Sequence, residues 1–208
     1  MGPPRDLRVF VNCPFDDKYL RIFHAIVFAI HDLGFQARHA LIDNTAALRA
    51  RRIYEELEGS LYSIHELGQV ALSPKSKLPR FNMPFEAGIA YSMHEAGVSG
   101  RRAHHMLLLD KAPHRIQVSM SDAAGIDGRA HRGSPVLAIE AVRGFLSSKS
   151  GRPLLGGKLV SKRYALFLNL LRRFVRPRLT VPEVKSWGYV NDMQGIMAEW
   201  IKSNPPPR

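Results

Sequence analysis

The chain alternates short apolar runs with stretches of helical period. Leu7–Val11 is a compact β-rich run and predicts a strand, which Asn12-Cys13-Pro14-Phe15 interrupts. Asp16 or Asp17 can then cap a helix reaching about Leu33, with Leu20, Phe23, Val27 and Ile30 on one face and Gly34 at its end. Phe35–Leu41 predicts a second strand, Ala46–Glu58 a polar helix, and Leu61–Leu67 a third strand. After a loop over 68–80, a helix is expected from about Pro84 to Ala96, with Pro84 in its first turn and Gly97 closing it. Met106–Leu109 reads as a buried strand edged by Asp110. Residues 111–133 have no clear period, and Ser134-Pro135 opens a helix to about Leu146.

Strand followed by helix, repeated, predicts an α/β domain: a flavodoxin- or Rossmann-like open parallel sheet of about five strands flanked by helices. We place this domain at residues 1–148. The Gly/Pro-rich stretch 149–158 then opens a basic helical C-terminal extension, 149–208, expected to pack on the domain. Tyr164, Phe167, Leu168, Leu171 and Phe174 form its apolar stripe, with Arg172, Arg173 and Arg176 on the polar side. Thr180-Val181-Pro182-Glu183 has the pattern of a capping box, and 191–204 is the last helix, with Trp200 and Ile201 turned inward.

Composition narrows the class. Of the 208 residues, 45% are hydrophobic and 23% charged, as in an ordinary globular chain. The single Cys13 excludes a disulfide scaffold and a Cys-rich zinc module. An apolar leader segment and a run of about 18 apolar residues are both missing, so a cytoplasmic protein without membrane contact is expected. The first hundred residues are charge-balanced, so the whole net charge of +12 falls on residues 101–208. That asymmetry would suit a polyanion such as nucleic acid. A solvated basic surface accounts for it better, since RNP-type stacking aromatics and Cys/His fingers are missing, so a nucleic-acid partner is not favoured. The nine histidines have no metal-ligand spacing, and neither a Walker A nor a G-x-G-x-x-G string occurs, so no metal is expected.

Ligands of open parallel sheets sit beyond the C-terminal ends of the strands. The residues expected to meet there are Asn12, Pro14, Phe15, Asp16 and Asp17 after the first strand, His65 and Glu66 at the third, and Asp110 after the fourth. Across the following loop come Phe81, Asn82, Glu86 and Gly88. Glu86, two residues after Pro84, would lie in a first helical turn, where the macrodipole keeps a carboxylate ionised. Such a carboxylate can attack an anomeric carbon or stabilise an oxocarbenium-like charge, or it can simply stabilise the helix start. Gly88 would allow close approach of a ligand. His65 and Glu66 could act as an acid–base pair or hold a ribose hydroxyl, although a strand-end histidine is often structural. Asp16 and Asp17 could bind ribose or cap a helix, and Phe15 and Phe81 could flank a base or fill the core. The loop 121–127 could close over a ligand or merely connect elements.

Phe85-Glu86-Ala87-Gly88-Ile89-Ala90-Tyr91 resembles the F-E-L-G-x-A-x-A motif of the nucleoside 2-deoxyribosyltransferase and TIR-like superfamily. Val9–Phe15 is similar to the first strand and small-Pro-Phe turn of that superfamily. VFVNCPFDDKY and LPRFNMPFEAG, together with the GG-containing linker and the terminal E-W-I-K segment, also resemble a set of uncharacterised bacterial proteins. The resemblance to enzymes of known activity spans about residues 7–110.

The resemblance implies an N-glycosidase-type hydrolase or transferase acting on the base–ribose bond of NAD, a nucleoside or a nucleotide. NAD would then be a substrate, and no cofactor is implied. It gives Glu86 the catalytic role, and it implies a homo-oligomer and a place in bacterial anti-phage defence. Two departures stand out. The second carboxylate common a few residues before the catalytic Glu is absent from Leu78–Met83, and Ala87 replaces the usual Leu. Without that acid, a cationic leaving group such as nicotinamide, which departs neutral, fits better than base transfer. The alternative is a non-catalytic module that binds a nucleotide-like signal and passes it on through the basic tail.

Overall fold

The computed structural model describes residues 4–40, 46–68, 81–98, 103–120, 126–175 and 179–206. Its contacts divide the chain into two compact units, Met1–Pro14 with Gln36–Arg132, and Phe15–Phe35 with Gly133–Arg208. This division does not follow the boundary expected at 148/149. The first and fifth helices group with the C-terminal helices, because their apolar faces pack against those helices.

The first unit carries a five-stranded, all-parallel sheet: β1 (Arg8–Asn12), β2 (Gln36–Arg38), β3 (Tyr62–Glu66), β4 (His105–Asp110) and β5 (Asp127–Ala130), in the order β2-β1-β3-β4-β5. The sheet is flanked by helices, an α/β Rossmann-like arrangement. β1, β3 and β4 are buried almost throughout, so β1 and β4 read as apolar runs without alternation, while β3 buries the polar Ser63, His65 and Glu66. The strand β5 and the short helix α4 (Arg115–Ser119) arise from the stretch that has no clear period.

Register fixes which side chains share a face. Asn12 pairs with His65, Ser63 with Met106, His65 with Leu108, and Asp110 with Ala130. Alternation therefore puts Phe10, Asn12, Ser63, His65, Met106, Leu108 and Asp110 on one face and Glu66 on the other. On the first of these faces, Phe10, Met106 and Leu108 pack with Ile53 and Leu57 of α2 (Ala46–Glu58) and with Met83, Ala87 and Ala90 of α3 (Asn82–Val98).

The second unit is helical: α1 (Asp17–Asp32), α5 (Pro135–Ser150), α6 (Gly157–Phe174), α7 (Val181–Val184) and α8 (Val190–Ser203). Ser134 caps α5 by accepting from the Leu137 amide at 3.4 Å, Pro135 fills its first position, and Gly151 closes it with φ +63°. The expected linker is shorter than its composition suggests, because Gly156 and Gly157 already open α6. Gly157 sits where an added Cβ would come within 3.1 Å of Glu140, so glycine lets α6 begin against α5. The capping box is present: the Glu183 carboxylate accepts from the Thr180 amide at 2.7 Å, and the Thr180 hydroxyl accepts from the Glu183 amide at 3.4 Å. Around Phe28 of α1 stand Tyr164, Phe167 and Trp200, with ring centroids 5.2, 5.3 and 5.7 Å away. Arg176, assigned above to the polar side of α6, lies outside the described residues. No helix among the described residues is long and apolar enough to cross a membrane.

Candidate functional site

The sheet carries a buried chain of polar side chains on its α2/α3 face. Asn12 Nδ2 lies 3.3 Å from His65 Nδ1, and His65 Nε2 lies 3.0 Å from Ser63 Oγ. Ser63 Oγ is 2.8 Å from His104 Nε2, whose Nδ1 lies 3.2 Å from the Ser60 carbonyl. A carbonyl only accepts, so His104 must donate from Nδ1 and accept at Nε2. Ser63 then donates to His104 and accepts from His65 Nε2, and His65 accepts the Asn12 amide at Nδ1. One carbonyl thereby sets the tautomers of two neutral imidazoles. Burial pushes His65 down to about 3, with His104 adding to the effect. Burial likewise takes His104 down to about 4, against the opposing pull of the Ser60 carbonyl. Among its expected roles, His65 fits the structural one: both ring nitrogens are committed inside the protein, and the residue has no exposed surface.

Glu66, on the other face, is also buried. Its Oε1 accepts from the Gly68 amide at 2.6 Å, and its Oε2 lies 3.0 Å from Nε2 of buried His131. Gly68 is the glycine this site requires, since an added Cβ there would meet Glu66 Oε1 at 2.3 Å and the Lys111 amide at 2.7 Å. His131 follows β5 directly and precedes Arg132 and Gly133, both with positive φ. The sequence reading did not single it out, because no period marks β5 and so nothing marks the residue after it as a strand end.

Asp110 closes β4. Its carboxylate accepts from the Ala112 amide at 2.8 Å and from Arg115 through two bonds, Nη2 at 2.6 Å and Nε at 2.9 Å. It is therefore an anchor for α4, and Arg115 is a partner that pattern alone did not pick out. Beside it, at the C-terminal ends of β4 and β5, is a cavity of about 210 Å³ lined by Asp110, His114, Gln117 and Arg129 among others. This is the end of the sheet where a ligand is expected. His114 holds a left-handed backbone at φ 62° at its edge. Residues 121–125 of the loop expected to close over a ligand lie outside the described residues.

The helix bearing Glu86 starts two residues earlier than expected. The Phe81 carbonyl accepts from the Phe85 amide at 2.9 Å, so α3 begins at Asn82 and Pro84 is its third residue. Proline is tolerated there because amides of the first turn have no intrahelical acceptor. Glu86 therefore lies in the second turn, where the macrodipole contributes less than the first-turn placement implied. It is also buried, with 6% of its surface exposed, on the side of α3 that carries Met83, Ala87 and Ala90 into the core. Phe81, 64% exposed, fills no core, and Asn82 beside it is exposed too. Gly88 faces open space, with nothing within 4 Å of an added Cβ, so no close approach requires it.

Asn12 and Pro14 end the first segment of the first unit, Asn12 buried and Pro14 half-buried. Phe15, Asp16 and Asp17 belong to the second unit. There Asp16 caps α1, its carboxylate accepting from the Lys18 amide at 2.7 Å, and Asp17 is exposed in the first turn. Phe15 stands edge-on to Trp187, centroids 5.3 Å apart. The strand ends of the first unit thus bring Asn12 and His65 into contact and carry Asp110 on the same face, two strands from Asn12, with Glu66 on the opposite face. Among the described residues, no group of three or more His, Cys, Asp or Glu side chains is placed to hold a metal ion. Chemically the arrangement offers hydrogen-bonded carboxylates at the ends of β3 and β4, those of Glu66 and Asp110, and a buried carboxylate on α3, that of Glu86. Comparison of the chain with protein-family models, with curated proteins and with solved structures finds no match in any of the three.

Proposed function

We propose that the protein is an N-glycosidase-type enzyme that cleaves the base–ribose bond of NAD or a related nucleotide, with Glu86 as the carboxylate facing the sugar. The observation that carries this reading is the burial of Glu86. A residue that only stabilises a helix start sits at the surface of the first turn. Burying a carboxylate is costly unless it is paired, and buried carboxylates such as Glu86 concentrate at functional sites. The commitments of the strand-end groups point to the leaving group. Glu66 is held by Gly68 and His131, Asp110 by Arg115 and Ala112, and His65 by Asn12 and Ser63. A reaction that needs no proton donor suits this arrangement. In NAD hydrolysis the C1′–N bond breaks with its electron pair going to the cationic ring, so nicotinamide leaves neutral. The ribosyl cation is stabilised by Glu86 and captured by water, which releases a proton to solvent. The homo-oligomer and the defence role implied by the resemblance belong to this reading.

The test is incubation of the purified full chain with NAD, nucleosides and nucleotides at high protein concentration, with chromatography of free base. Release of nicotinamide, lost at least a hundredfold in Glu86→Gln, is expected. Equal inactivity of both proteins overturns the assignment.

A second reading, a module that binds a nucleotide-like signal without cleaving it, is favoured by the same commitments and by the 6% exposure of Glu86, which leaves a substrate little carboxylate surface to meet. Saturable binding of NAD or a nucleotide by calorimetry with no product would decide for it.

A further inference from the structure

We propose that the exposed face of α6 is a docking surface for a nucleic-acid phosphate backbone. Lys158, Lys162, Asn169, Arg172 and Arg173 are all exposed. At 3.6 residues per turn they fall within one arc of about 100°, and from Lys158 to Arg173 the helix rises about 22 Å. None of the four cations has an ion-pair, hydrogen-bond or ring partner among the described residues. The sequence of α6, GKLVSKRYALFLNLLRRF, contains no acidic residue.

The N-terminal part of the row works against the helix that bears it. Lys158, in the first turn, stands at the positive end of the macrodipole, where cations destabilise, and Lys158 and Lys162 are a like-charged i,i+4 pair, whereas Arg172 and Arg173 lie in the last turn, which favours cations. A row of exposed cations without a partner among the described residues is expected where an external polyanion supplies the compensation. The apolar face of α6, with Val160, Tyr164, Phe167 and Leu171, is buried inside its own unit, so the helix cannot lay an apolar side into a lipid surface. On the cationic face Leu166 is the single large apolar side chain, too little for the aromatic and aliphatic anchors of a protein–protein hot spot. What remains is a straight, polar, cationic edge that matches a phosphodiester chain.

The experiment is fluorescence anisotropy of the full chain with labelled 25-nucleotide single-stranded DNA, duplex DNA and RNA, at several salt concentrations between about 50 and 200 mM. Binding is expected, with an affinity that falls with salt at a log–log slope of about 3, as for roughly four neutralised phosphates. Lys158→Glu/Lys162→Glu and Arg173→Glu should each weaken binding about tenfold or more and flatten the slope. Lys202→Glu, which removes an exposed cation of α8, should not. The milder Lys158→Gln/Lys162→Gln separates misfolding from lost binding: it should raise Tm slightly by relieving repulsion, yet still weaken binding. No binding at the lowest salt overturns the proposal, as does an equal loss in Lys202→Glu. Binding to anionic phosphatidylserine vesicles but not to any oligonucleotide would assign the face to a membrane and overturn it too.

Discussion

Arg163 of α6 and Asp32 at the end of α1 form a buried bidentate pair: Nε lies 2.9 and 3.0 Å from the two carboxylate oxygens, and Nη2 lies 2.8 Å from Oδ1. The guanidinium also donates to the Asn204 carbonyl at 2.7 Å and lies 5.1 Å from the Trp200 ring centroid. One side chain from the body of α6 thereby joins the C-terminal ends of α1 and α8. Removing either partner leaves a buried charge, at a cost of about 3–5 kcal/mol. Asp32→Asn and Arg163→Met should each lower the urea midpoint accordingly, while Asp32→Leu/Arg163→Met should recover much of the loss. A double variant as unstable as the sum of the singles would refute the pairing.

The hydrogen-bond chain through Ser63 predicts specific tautomers. His65 should carry its proton on Nε2 and His104 on Nδ1, readable from nitrogen chemical shifts. Ser63→Ala removes the hydroxyl that joins the two rings and leaves a buried donor and a buried acceptor without each other. Each such group costs about 1–3 kcal/mol, so chemical denaturation should place the variant well below wild type. A Ser63→Ala protein as stable as wild type would dissolve the chain.

Acid should weaken the fold through its buried histidines. Burial holds His24, His31 and His104 at about 4 and His65 at about 3, below the ordinary 6.5. Between those values and 6.5 the unfolded chain binds protons that the folded chain refuses, so stability falls as pH falls through that window. The limiting slope is about 1.4 kcal/mol per pH unit for each histidine. Urea midpoints at pH 7.5, 6 and 5 should decline steadily, and a flat profile would contradict the burial of these rings.

Gly68 and Gly88 should respond oppositely to alanine. At Gly68 the new methyl would collide with the Glu66 carboxylate and the Lys111 backbone, so Gly68→Ala should lower Tm by several degrees. At Gly88, exposed on α3 with open space around it, Gly88→Ala should gain about 0.5–1 kcal/mol from reduced backbone freedom. Thermal unfolding of the two variants side by side checks the pair.

What could be read from residues alone follows burial. β1 and β4 were legible because strands buried on both faces are rich in apolar residues, α6 because one buried face imposes a period, and α1 because its buried stretch is apolar and bounded by Asp16 and Gly34. β5 was not, since Asp127-Gly128-Arg129-Ala130 lies at the sheet edge and needs no apolar pattern. The start of α3 was misplaced because proline fits any first-turn position and its own position does not say which. Asn12, His65, Glu66 and Asp110 were found as strand ends, but their partners were not. Ser63, His104, His131 and Arg115 become neighbours only through sheet register or the return of the chain, and Arg163 meets an acid 131 residues away. The burial of Glu86 was likewise invisible, because exposure is set by what packs on α3.

The second unit is assembled from two stretches separated by nearly a hundred residues. On the ribosome α1 emerges well before the helices that cover Phe28. Its apolar side therefore waits for most of translation, a period in which chaperones have something to hold. A stop codon near 148 would leave that side permanently bare, so the C-terminal helices are as necessary to the solubility of the nascent chain as to its finished form.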